Sequence, residues 1–136
     1  MLVVDAGVLY AAADRTDRNH EACVQVLQDA PAPVIVPALV VTEVAYLLGD
    51  RLGAHAETRF ARSLAGGEVL VEAPTPADWV RVAELCETYE DLPLGIVDAS
   101  VVAVAERIGA SRIATLDRRH FPVVRPRTGE AFTLVP

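Results

Sequence analysis

The chain has 136 residues, 52% of them apolar and 23% charged, with a formal net charge of −7 at pH 7. That length suits one domain, 1–136, able to bury roughly 68% of its unfolded surface without disulfide or metal staples. No unbroken apolar run reaches about 18 residues, so no membrane span is expected. No basic region precedes a long apolar stretch at the N-terminus, so no secretory signal is expected. The acidic balance argues against a simple polyanion binder. The twelve basic side chains other than histidine are all arginine, which excludes a Walker-type phosphate loop and Schiff-base chemistry. Cys23 and Cys86 fall inside amphipathic stretches and read as reduced thiols of a cytosolic core.

In chain order, Leu2 to Asp5 is a short apolar strand ending in an acid, a pattern suited to a central parallel strand buried on both faces. Gly7 to Ala13 starts a helix, and Asp14 to Asn19 is a polar loop. His20 to Asp29 reads as a helix with Val24 and Leu27 inward and Asn19 as its N-cap. Pro31 and Pro33 break the chain before a second buried strand, Val34 to Val36, closed by Pro37. Ala38 to Asp50 is a strongly apolar helix ended near Gly49 and Gly53. His55 to Leu64 is another, with Phe60 and Leu64 on one face. After the Gly66-Gly67 turn come a third strand, Val69 to Val71, and a long amphipathic helix, Thr75 to Tyr89. Thr75 and Asp78 fit a capping box, with Pro76 at the first helical position. Trp79, Val82, Ala83 and Cys86 form its expected apolar face, with Tyr89 at the rim. Leu94 to Phe121 reads as a helix carrying Asp98 in its first turn, then a short strand delivering Asp117 at its end. Arg118 to Phe121 is a loop or single turn, and Val123-Val124 and Phe132 to Val135 are expected as short terminal strands. Strands alternating with helices imply a mainly parallel sheet with helices on both faces.

Four carboxylates stand at the ends of these apolar elements or on their faces: Asp5, Glu43, Asp98 and Asp117. In an open α/β sheet, ligands sit outside the carboxyl ends of the strands. Glu43 has Leu39, Val40, Tyr46 and Leu47 at i±3 and i±4, which places it on the face expected to be buried. An unpaired carboxylate there costs several kcal/mol, so it must be paired, protonated or bound to metal. Asp5 and Asp117 also suit turns or caps, and Asp98 suits a helix start. Brought together, the four would repel: two unit charges about 4 Å apart differ by about 4 kcal/mol at an effective dielectric of about 20. No lysine is present to absorb this; a hard divalent cation with oxygen ligands would.

The stretches LVVDAGVLYAAAD, TEVAYLL and GIVDASVVAVAERIGASRIATLDRRHF resemble the PIN-domain family, in particular VapC-type ribonuclease toxins of toxin–antitoxin pairs. The likeness runs from Leu2 to about Val124. It implies a PIN-like α/β/α sandwich with a mainly parallel central sheet of four or five strands. It also implies a site-specific endoribonuclease dependent on Mg²⁺ or Mn²⁺, with structured RNA such as tRNA or rRNA favoured. The family's acidic quartet falls on Asp5, Glu43, Asp98 and Asp117. Asp5 and Asp98 are then direct ligands, while Glu43 and Asp117 hold a second ion or orient the attacking water. Thr115 matches a supporting hydroxyl just before the last acid. The family often has a serine or threonine two residues after the first aspartate; Gly7 stands there, which puts the orientation of Asp5 in question.

Arg15, Arg18, Arg118 and Arg119 are the candidates for gripping RNA phosphates. His120 reads as a loop or packing residue, and Asp91 precedes the helix of Asp98 as a possible fifth acid. The resemblance further implies a cognate antitoxin protein and a homodimer, for which the apolar faces between Ala38 and Leu64 are available. Two other readings are disfavoured. An aspartyl phosphotransferase wants a second aspartate at position 7 and a lysine. A catalytically inactive RNA-binding or scaffold module expects eroded acids, whereas all four are present.

Overall fold

The computed structural model describes residues 1–136. Five short strands, β1 (Leu2–Val4), β2 (Val34–Pro37), β3 (Leu70–Glu72), β4 (Arg112–Ala114) and β5 (Thr133–Val135), form one sheet of order β3-β2-β1-β4-β5. Every pairing is parallel, with Val3 opposite Ile35 on one side and Ile113 on the other. Six helices connect them: α1 (Ala6–Ala13), α2 (His20–Asp29), α3 (Ala38–Leu52), α4 (Ala54–Ala65), α5 (Pro76–Thr88) and α6 (Ile96–Ile108). From β1 the chain winds outward through β2 to β3, then crosses back to β4 on the other side of β1. Helix α1 packs on α2 and α3, α3 on α4, and α5 on α6; the right-handed rule for parallel crossovers assigns the two groups, α1 to α4 and α5 with α6, to opposite faces of the sheet. The reversal leaves a crevice between the carboxyl ends of β1 and β4, where open sheets of this kind bind ligands.

Burial explains the strand sequences. All three residues of β1 are buried, as are Ile35, Val36, Ile113 and Ala114 on its neighbours; a strand covered on both faces has no polar positions to alternate. The edge strand β3 exposes Leu70 and Val71 instead. Helix α6 is buried without interruption from Ala99 to Ala105, the state expected of a helix apolar all round. Its first turn therefore projects from a fixed support.

Helix α5 starts with the expected capping box, Thr75 accepting from the Asp78 amide and Asp78 from the Thr75 amide. Its buried stripe is Asp78, Val82 and Leu85; of the expected face, Val82 is buried and Cys86 packs against the core, while Trp79 and Ala83 do not. Trp79 is 46% exposed and Ala83 faces solvent, so neither belongs to the core. Two ion pairs set that phase. Arg81 makes two 2.8 Å bonds to Glu106, and Arg107 reaches Asp78 at 2.8 Å and Glu72 at 3.0 Å. With both pairs facing α6, Trp79 turns outward.

Two further expectations are corrected. Val123-Val124 is a turn, closed by bonds from both amides to the His120 carbonyl, and not a strand. Val124 is nevertheless fully buried, so its apolar character serves packing. Asn19 stands at the N-cap of α2 but makes no side-chain cap; its own amide is held by Asp17 at 2.8 Å.

Candidate metal centre

Asp5 directly follows β1 and caps α1, its Oδ1 accepting the Ala6 amide at 2.8 Å. The cap reading and the site reading both hold, because capping uses one oxygen. Oδ2 accepts the Thr115 hydroxyl at 2.9 Å. Asp5 is only 8% exposed. Burial pushes its pKa up, against the bonds from Ala6 and Thr115, and the nearby charge of Asp117 adds to the rise. Thr115, fully buried just beyond β4, also accepts the Asp117 amide at 3.0 Å. One hydroxyl thus ties the first acid to the last. Gly7 leaves room for a side chain, since a Cβ there would meet Leu116 at an ordinary 3.7 Å. Thr115 supplies the support for Asp5 that position 7 lacks.

Asp117 lies three residues past the end of β4 and closes a turn. Its Oδ1 accepts the amides of Arg119 and His120 at 2.7 and 2.9 Å, and its Oδ2 lies 2.6 Å from His120 Nδ1. Burial opposes ionisation, but the bonds from His120 and Arg119 outweigh it and hold the carboxyl below its ordinary pKa. Asp98 differs. Gly95, not Asp98, is the N-cap of α6, so the capping explanation for Asp98 falls away. Burial, then the charges of Asp5 and Asp117, push it up to about 6; His120 opposes this and Glu43 adds to it. No hydrogen bond relieves it.

Glu43 corrects the sequence expectation. It is exposed, because the buried stripe of α3 is Val40, Val44 and Leu48, one residue out of phase. Tyr46, expected beside it in the core, is 70% exposed. Glu43 still belongs to the cluster: partial burial and the charge of Asp5 raise its pKa. It stands at the rim.

The structure thus brings Asp5, Asp98 and Asp117 to one sheet edge, with Glu43 on α3 near enough to feel Asp5; of the four, Asp98 and Asp117 come within ligand distance of one another. Asp91 is exposed in the turn before α6. Arg118 and Arg119 flank the cluster just after Asp117, with Arg118 donating to the Pro136 carbonyl. Arg15 and Arg18 lie beyond the far end of α1 from Asp5, a helix length of about 12 Å away. His120, assigned to packing from the sequence, lies inside the cluster. Asp98, Asp117 and His120 each offer a ligand atom, all within 4.8 Å of one another. The signal was the i,i+3 spacing from Asp117 in a turn.

The donors fit a hard cation. Opposite ligands of an ion with bonds of about 2.1 Å stand about 4.2 Å apart, and the ligand atoms of Asp98, Asp117 and His120 lie within 4.8 Å of one another. The unrelieved charge on Asp98 is what such an ion would neutralise. A doubly wound parallel sheet with carboxylates converging at its switch point defines a class: an α/β domain built around an acidic, cation-binding centre. The chain belongs to the PIN-domain family, whose model matches residues 2–125. It is 34% identical over 135 residues to Ribonuclease VapC26 of Mycobacterium tuberculosis, covering 99% of this chain and all of that one. The fold is similar to that of the crystal structure of Mycobacterium tuberculosis VapC20, described as a sarcin–ricin loop cleaving toxin. The TM-score is 0.81 at 23% identity, over 87% of this chain and 91% of the other. It is also similar to VapBC2 of Rickettsia felis, solved with a DNA fragment from its promoter. There the TM-score is 0.68 at 10% identity, over 98% and 96% of the two chains.

Proposed function

We propose that this chain is a metal-dependent, site-specific endoribonuclease, the toxin of a toxin–antitoxin pair, using Mg²⁺ or Mn²⁺ held by Asp5, Glu43, Asp98 and Asp117. The observation that carries the reading is the convergence of acids: Asp98 makes no hydrogen bond and feels Asp5, Asp117 and Glu43 together, opposed only by His120, while one Thr115 hydroxyl bonds both Asp5 and the Asp117 amide. A divalent ion bound there supplies an acidified water and neutralises charge gathering on the phosphate. Asp5 and Asp98 are the direct ligands in this reading. Glu43, at the rim, and Asp117 orient the attacking water or hold a second ion. Thr115 fixes Asp5 relative to Asp117 before substrate arrives, so that little reorganisation remains in the reaction. Arg118 and Arg119 grip phosphates next to the scissile bond, and Arg15 and Arg18 reach phosphates further along the RNA.

The substrate in this reading is a structured RNA, such as a tRNA or an rRNA loop, cut in the cytoplasm. Control falls to a cognate antitoxin. A groove of about 560 Å³, lined by Leu9, Val24, Leu27, Leu48 and Phe60 with Arg15 and Arg59 among its lining residues, suits an apolar protein segment. Exposed Tyr46 on α3 supports a homodimer through that helix. Incubating total RNA with the purified chain and Mg²⁺ or Mn²⁺ and mapping the new ends tests the activity. Discrete ends are expected with metal and none with EDTA or with Asp98→Asn. Cleavage indifferent to EDTA, or equal in Asp98→Asn, overturns it.

A further inference from the structure

His120 is the one imidazole among the four acids. Its Nδ1 lies 2.6 Å from Asp117 Oδ2, and its amide donates to Asp117 Oδ1 at 2.9 Å. Ring and carboxylate are therefore locked together through a single turn. An ionised carboxylate only accepts hydrogen bonds, so Nδ1 carries the proton and, in the neutral ring, Nε2 keeps the lone pair. Histidines that bind metals are held in this manner: one ring N–H goes to a carboxylate, which fixes the tautomer, and the other nitrogen is the donor. The side chain is 18% exposed, whereas Arg118 and Arg119 before it are in solvent. A ring nitrogen of His120 and oxygens of Asp98 and Asp117 all lie within 4.8 Å of one another.

Resting on the metal-dependent reading above, we propose that His120 is a nitrogen ligand of this centre and makes it prefer Mn²⁺ to Mg²⁺. Carboxylates alone suit both ions. Mg²⁺ demands oxygen donors in near-ideal octahedral geometry, whereas transition ions accept imidazole. The chain's other histidines, His20 and His55, lie on α2 and α4, so nitrogen bound to the metal has one source.

Two measurements decide the matter, and the first needs no variant to fold. Pulsed electron paramagnetic resonance on the wild-type chain loaded with Mn²⁺ is expected to show imidazole nitrogen coupling, absent from His120→Asn. Calorimetric titration of the metal-free protein is expected to show Mn²⁺ affinity falling about 10–100-fold in His120→Asn, with Mg²⁺ affinity changing less than about threefold. Bound Mn²⁺ without nitrogen coupling overturns the proposal, as does equal weakening of both ions, which is the mark of a mere brace for Asp117. Mn²⁺ that fails to bind the wild type, or binds Asp98→Asn as well, overturns the metal reading itself. Loss of binding in Asp98→Asn without nitrogen coupling overturns only the role of His120.

Discussion

Asp98→Asn separates what the site costs the fold from what it gives to chemistry. The carboxyl of Asp98 ordinarily titrates at 3.8 but is pushed up to about 6 by burial and by Asp5 and Asp117. Each pKa unit corresponds to about 1.36 kcal/mol, so the ionised group costs the native state at most about 3 kcal/mol. The side chain keeps partial contact with water, and solvent screening brings this to about 1–2 kcal/mol. Well below pH 3.8 the group is protonated in folded and unfolded chains alike, and Asp and Asn are equivalent. As the pH rises past 3.8 the unfolded chain ionises first, native stability falls, and above about 6 the full cost is present.

In EDTA at pH 8, Asp98→Asn is therefore expected to melt about 4–8 °C above the wild type, and at pH 4 to lose most of that advantage. Mn²⁺ should reverse the order. At 100 times its dissociation constant it stabilises the wild type by about 2.7 kcal/mol, while the variant, short of a ligand, gains little. The variant should also fail to cut RNA. The assay is thermal melting by circular dichroism across the two pH values, with and without metal. A variant that melts below the wild type at pH 8, or gains the same increment at pH 4, refutes the claim that convergent negative charge strains this edge.

Other consequences follow from single contacts. Thr115→Val leaves Asp5 Oδ2 and the Asp117 amide without their shared buried partner, a loss of about 2–4 kcal/mol. Activity should fall about 10–100-fold, with Thr115→Ser restoring both; denaturant melts and initial cleavage rates check it. Asp5→Asn keeps the volume of the α1 cap and should leave the far-ultraviolet spectrum unchanged while abolishing cleavage. Gly7→Ala should stabilise the chain by about 0.5–1 kcal/mol, since Gly7 lies in α1 where a Cβ meets only Leu116 at 3.7 Å, and glycine is a poor helix former. A destabilised Gly7→Ala would mean that the α1–Leu116 contact is tighter than it stands.

What the sequence revealed and what it hid divide by physical cause. Strand order in the chain and the acids at strand ends were legible, because a parallel strand buried on both faces must be apolar throughout and end abruptly in polar residues. Helix phase was not legible. In α3 the run Leu39, Val40, Val41, Val44, Ala45, Leu47, Leu48 is apolar over so wide an arc that two neighbouring stripes fit equally. The true one, Val40-Val44-Leu48, turns Glu43 to the rim and Tyr46 to water. In α5 the phase is set by Arg81–Glu106 and Asp78–Arg107, partners 25 and 29 residues apart, which no local periodicity encodes.

His120 was hidden for a related reason. Beside two arginines it reads as part of a solvated loop, and only the fold shows that the turn closed by Asp117 points its ring inward. The same turn explains why Asp117 and Asp98 titrate in opposite directions although they face each other. Asp117 gathers three hydrogen bonds from its own loop, a local supply of donors that travels with it. Asp98 sits on a helix whose next seven residues are packed solid, so it can neither shift away from Asp5 nor recruit a donor. A flexible acid would relax and lose its tension with the others. A rigid one keeps the charge unbalanced until a cation arrives, so α6, the most deeply buried helix of the chain, sets the strength of the site.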